Sequence, residues 1–175
     1  YLLMLLLCLP LLANAVEFDE FTQSLPLGRF LQVFEDADGQ ASIAQVRAQA
    51  AAGNFQPHDQ ATLNAGYSRS VFWLKIDLQY RPTHPAAQRT CLLALAYPPL
   101  DHLDLYLPDA TGDYQRVRQT GDALPFASRE IRQNNYLFNL DFTPGQTQTV
   151  YLRLQSQGSI QAPVTLWSST AYLEE

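Results

Sequence analysis

The chain is short of cysteine and nearly without lysine: 175 residues carry two cysteines and a single lysine, Lys75. Only Cys91 lies beyond residue 15, so residues 16–175 cannot close a disulfide, and a disulfide-stapled miniprotein is excluded. Basic residues are also scarce, 11 Lys+Arg against 17 Asp+Glu for a formal net charge of −6. That balance offers little surface for neutralising phosphates, so no nucleic-acid partner is expected. Internal repeats and low-complexity stretches are missing past the leader, which removes collagen-like and disordered chains. GxSxG, P-loop and GxGxxG fingerprints are missing too. No apolar run after residue 15 approaches the roughly 20 residues of a membrane span.

What is present begins with a leader. Leu2 to Leu12 is almost uninterrupted apolar sequence, followed by Ala13-Asn14-Ala15 and then the polar Val16-Glu17-Phe18-Asp19-Glu20. An apolar run of about a dozen residues ending in small-x-small predicts a signal peptide over 1–15. An uncleaved anchor is the competing reading. The basic stretch that opens such a leader is not found ahead of Tyr1, so the sequence reads as a piece of a longer chain. Leu7 is too bulky before Cys8 for lipid attachment. Residues 16–175 then form one acidic domain, long enough to bury a sizeable core. Cys91, within Cys91-Leu92-Leu93-Ala94-Leu95-Ala96, reads as a small buried hydrophobe.

Period-2 patterning dominates from residue 70 onward. Leu74, Ile76 and Leu78 share one face of a strand while Trp73, Lys75 and Asp77 share the other. Leu103, Leu105 and Leu107 alternate with Asp104 and Tyr106. Tyr136, Phe138, Leu140 and Phe142 alternate with Asn139 and Asp141, and Val150, Leu152 and Leu154 with Tyr151, Arg153 and Gln155. Each is a half-buried strand. Further strands are expected at about 27–34, 91–97, 114–118 and 161–167. Pro/Gly/Asp turns separate them, as at Thr143-Pro144-Gly145, and the whole predicts an all-β sandwich or jelly roll. One short helix is expected near residues 42–52: Ser42 and Gln45 form a capping box, Ile43, Val46 and Ala50 share a face, and Gly53 follows the end. It should lie against one end of the sandwich.

Most chemical signals fail on inspection. Glu35-Asp36-Ala37-Asp38-Gly39 resembles the start of an EF-hand, but Arg47 stands where the bidentate Glu belongs. An acidic turn is the better reading. His58, His84 and His102 share no metal-ligand spacing and read as solvated loop histidines. Asp101 and Asp104 are three residues apart on a strand and point to opposite faces, unsuited to flanking one glycosidic bond. No catalytic residue, metal or cofactor is therefore assigned. The polar faces of the strands are the best candidate for binding. If those strands are neighbours, Trp73, Lys75, Asp104, Tyr106 and Arg153 place rings beside charged groups, a surface suited to sugars. The alternative is that the rings pack a second layer and the charges bridge across strands.

Five ordered motifs carry a family resemblance. They are Phe34-Glu35-Asp36 with Ser42-Ile43 leading to Phe55; Asn64-x-Gly66-x-Ser68 leading to Trp73-Leu74-Lys75; Tyr97-Pro98-Pro99-Leu100-Asp101-His102-Leu103-Asp104-Leu105-Tyr106; Thr120-Gly121-Asp122-x-Leu124-Pro125-Phe126-x-x-Arg129; and Val150-Tyr151-Leu152-Arg153-Leu154-Gln155-Ser156. Together, over about residues 27–172, they resemble extracellular domain type 2 of the bacterial seven-transmembrane receptors with diverse intracellular signalling modules (7TMR-DISM). The resemblance implies a jelly roll akin to carbohydrate-binding modules, held outside the cytoplasmic membrane as a sensor. It also implies a receptor continuing into seven helices and a histidine kinase or diguanylate cyclase. The family more often has Arg where Lys75 stands, which would weaken a bidentate contact.

The expectation is a non-enzymatic periplasmic sensor domain over 16–175 that binds a carbohydrate or other small polar ligand. The residues expected to bind it are Trp73, Lys75, Asp104, Tyr106, Arg129 and Arg153, with Asp101 and Asp122 as orienting carboxylates. A protein-interaction or dimerisation module, docking a partner receptor or a second copy, is the rival reading; the membrane would be met only through the rest of the receptor. A ligand site should be concave with a polar floor, a docking face flatter and apolar.

Overall fold

A computed structural model describes residues 15–174. The leader's first fourteen residues, where most of the expected signal peptide falls, lie outside the described residues. In chain order the strands are β1 (Val16–Phe18), β2 (Ser24–Pro26), β3 (Gln32–Asp36), β4 (Gln56–Pro57), β5 (Leu63–Tyr67), β6 (Val71–Tyr80) and β7 (Arg89–Leu95). They continue with β8 (His102–Pro108), β9 (Tyr114–Thr120), β10 (Tyr136–Phe142), β11 (Thr147–Gln155), β12 (Ser159–Ala162) and β13 (Val164–Ser168). Helix α1 (Ile43–Ala51) follows β3, and a second short helix, α2 (Ser169–Leu173), which the periodicity did not signal, follows β13.

The alternating pattern of β6, β8 and β11 makes them the centre of a seven-stranded sheet ordered β4-β3-β6-β11-β8-β9, with β1 running parallel to the far end of β6. A four-stranded sheet, β10-β7-β13-β2, packs against it, and β5 pairs with β12. Leu74, Ile76, Leu103, Leu105 and Leu152 from the large sheet meet Leu93, Leu95, Phe138, Leu140 and Leu166 from the small one in a single core. The chain is thus an all-β sandwich, as the periodicity predicts.

Two predicted boundaries move. Residues 28–30 form a 3-10 turn rather than the start of a strand, and the strand occupies 32–36. The turn needs Gly28, because a Cβ there would lie 1.8 Å from the Ala61 carbonyl oxygen. Pro163, which has no N–H to give a ladder, separates β12 from β13 within the single strand expected over 161–167.

Helix α1 has the predicted cap: Gln45 N–H donates to the Ser42 hydroxyl, and the Gln45 side chain accepts from Ser42 N–H. Its position differs from expectation. Instead of closing one end of the sandwich it lies on the outer face of the large sheet, where Val46 packs with Phe55, Trp73 and Tyr151 in a second apolar cluster. A nine-residue helix with one fully buried side chain gets its stability from that contact.

Candidate functional site

Strand register determines which polar residues meet. Across the outer face of the large sheet, Phe34, Trp73, Arg153, Asp104 and Gln119 stand in one row of paired positions. The next row holds Gln32, Lys75, Tyr151, Tyr106 and Arg116. The strands that carry the expected face are therefore neighbours in one sheet.

Helix α1 divides that face into two parts. On the β6 side, Trp73 is 0% exposed and Tyr151 is buried, with Phe34 and Tyr106 partly buried beside them. The ring centroids of Trp73 and Tyr106 are 5.2 Å apart. Burial pushes the Tyr151 phenol up to about 12. These rings pack a second layer. Lys75 is half-buried and ion-paired to Asp77, which also accepts from the Thr149 hydroxyl.

On the β8 and β9 side the face stays open as a cleft of about 400 Å³. Asp104, Tyr106, Arg116, Gln119, Arg153 and Gln155 line it. The Gly39–Ala41 backbone forms one rim. Asp36 holds that rim, its two carboxylate oxygens accepting from Gly39 N–H at 3.1 Å and Ala41 N–H at 3.0 Å. This is the acidic turn read from the sequence, and no His/Cys/Asp/Glu cluster able to hold a metal occurs among the described residues.

Asp104 is the least satisfied group here. It is only 3% exposed, its Oδ2 lies 3.5 Å from Arg116 Nη1, and its Oδ1 has no hydrogen-bond partner among the described residues. Burial raises its carboxyl above the ordinary aspartate value, an effect that Arg116 and Arg153 only partly offset. Tyr106 is pushed up by burial and then by the Asp104 charge. Trp73 Nε1 also has no partner among the described residues, so a buried donor and a buried acceptor flank Arg153 in one row. Arg153 makes two long contacts from Nη2, 3.4 Å to Gly39 O and 3.3 Å to Gln155 Oε1.

A second cavity, of about 670 Å³, shares His102 and Gln155 with the first. Tyr67, Ser68, Arg69 and Asp101 complete much of its wall. Asp101 Oδ2 accepts from Gln157 N–H at 2.7 Å and so fixes the loop after β11. Gly121, at φ +144°, packs against the Asp101 carbonyl, which a Cβ would approach to 1.9 Å.

Of the residues expected to bind, Asp104, Tyr106 and Arg153 meet in the cleft, Asp101 lines the adjoining cavity, and Trp73 lies beneath the surface. Asp122 and Arg129 lie elsewhere. Asp122 is exposed, with its N–H on Leu100 O at 2.8 Å. Arg129 donates to the carbonyls of Gln133 and Asn134 and sits 4.4 Å above the Tyr136 ring. No ion pair joins Asp122 to Arg129 among the described residues.

The sequence reading missed Arg116, Gln119, His102 and Tyr67. A bulge opposite Leu105 and Tyr106 brings Arg116 and Gln119, three residues apart, to the same cleft, which strict alternation forbids. His102 could have been found, since it is two residues from Asp104 on the same strand.

No curated protein matches this chain. A family model, 7TMR-DISM extracellular 2, matches residues 28–168, which include both cavities, helix α1 and nearly every strand of the sandwich.

Proposed function

The chain belongs to the 7TMR-DISM extracellular 2 family, the extracytoplasmic sensor domains of membrane receptors, and from that membership we propose that the cleft at Asp104 is where it binds its ligand. The ligand is a small polar molecule, a carbohydrate or a compound of like chemistry, and the domain acts by binding it rather than by transforming it. Occupancy is then passed to the rest of the receptor.

One observation carries this reading: Asp104 is a buried carboxylate on a concave polar wall, with an oxygen that nothing among the described residues satisfies. An unpaired buried acceptor costs roughly 1–3 kcal/mol, and because this oxygen is closed to solvent a ligand hydroxyl recovers it only by shifting the side chains that cover it. Neither a flat surface nor an apolar lining is found here, as a docking face would require. The half-buried Tyr106 ring supplies an apolar edge for a sugar C–H face.

Titration of the chain with mono- and oligosaccharides, followed by tryptophan emission, tests it. Trp73 touches Tyr106, so occupancy should give a saturable change. Asp104→Ala should weaken binding about tenfold or more. A chain that responds to no saccharide and instead dimerises with concentration would replace this reading with the interaction module.

A further inference from the structure

The charges around the two cavities do not balance. Arg69 and Arg153 make no ion pair among the described residues, and Arg116, which does, is half-exposed and 3.5 Å from its partner. Against these three guanidinium groups stand Asp104 and Asp101, and Asp101 already accepts the Gln157 N–H. In a chain of net charge −6 the lining is therefore a local surplus of positive charge, offset behind the rim only by Asp36, whose carboxylate already accepts the Gly39 and Ala41 N–H groups. Arg153 uses one of its nitrogens, at long distance, and keeps the rest of its donor fork free. A half-buried guanidinium in that state favours a planar anion that can meet two donors at once.

The groove is also longer than one small molecule requires. The larger cavity continues from the Asp104 cleft past His102 and Gln155, and at its mouth stands Tyr67, 86% exposed. A ring so open beside Ser68, Asp101 and Gln157 gives a stacking surface next to hydrogen-bonding groups.

We propose that the groove takes an acidic saccharide, its carboxylate held by Arg153 with Arg116, its hydroxyls on Asp104 and Gln155, and a following sugar ring against Tyr67. The proposal rests on the cleft being the ligand site and adds the charge class and the length of what binds.

Calorimetric titration of the chain with glucuronate, glucose, galacturonate and digalacturonate tests it. Glucuronate should bind at least about tenfold more tightly than glucose. Arg153→Gln should lower glucuronate affinity at least about tenfold more than it lowers glucose affinity. Arg116→Gln, at a half-exposed position, should reduce the advantage in the same sense, with a thermal melt of each variant reading any loss of fold separately. Tyr67→Ala should weaken digalacturonate several-fold more than it weakens galacturonate. Equal affinity for the acid and the neutral sugar, or arginine variants that weaken both alike, would overturn the acidic class while the carbohydrate reading stands. Tyr67→Ala without effect on the dimer would overturn the extended groove. Binding of none of the four would overturn this proposal, and the wider saccharide titration then decides the reading beneath it.

Discussion

Asp104 occupies a position where an ionised carboxylate costs the fold something. Burial lifts its folded-state value above the ordinary 3.8, so the folded protein holds this proton more tightly than the unfolded chain does. The resulting stability is complete below the unfolded value and is lost as pH rises through the folded one. At neutral pH Asp104 is therefore a net burden, which fits a group kept for binding rather than packing. Asp104→Asn should melt at a higher temperature than the parent at about pH 7, and the difference should close as pH falls below the unfolded value. Calorimetry across that range measures it. A variant less stable at neutral pH would show that the Arg116 contact outweighs burial. Gly121 tests the backbone of the same region. Its φ of +144° and the 1.9 Å approach of a Cβ to Asp101 O leave no room for a side chain. Gly121→Ala should cost about 2–4 kcal/mol in denaturant unfolding, by strain and by displacing the strand end that carries Asp101 and His102.

Helix α1 decides which part of the outer face remains open, and its cap is the simplest means of testing that. Ser42→Ala removes the acceptor for Gln45 N–H and should cost about 1 kcal/mol. Because α1 covers Trp73 through Val46, the same change should increase quenching of Trp73 emission by acrylamide. This element also marks where sequence reasoning stops. Alternation put Trp73, Tyr151, Arg153, Asp104 and Tyr106 on one face, and the register agrees. It carried no information about what covers that face, because burial of Trp73 depends on an earlier helix, α1, folding back over it. The capping box gave the helix its start, while its weak apolar stripe left its docking place open. The β8–β9 bulge hid Arg116 for a different reason: one extra residue, Val117, resets the face of everything before it. Tyr67 carried no signal at all, since an exposed ring and a buried one look alike in a short strand.

At the scale of the molecule, an extracytoplasmic domain without a disulfide must be held by its interior. The sandwich does this with one large core between the sheets and a second cluster beneath α1, while the polar remainder of the outer face is left for the groove. Cys91 belongs to the first core, 2% exposed and unpaired, and burial pushes its thiol up from the ordinary value. A thiol so placed is no nucleophile, and no other cysteine occurs among the described residues. A native disulfide in a chain of this size would contribute about 2–5 kcal/mol and shift the melting temperature by several degrees on reduction. The melting temperature should therefore be the same with and without reductant. Site-resolved thiol labelling should find Cys91 silent in the native protein and reactive only once the chain unfolds. Labelling of Cys91 at native conditions would mean that β7 opens locally, and with it the core that supports β8, β11 and the cleft they carry.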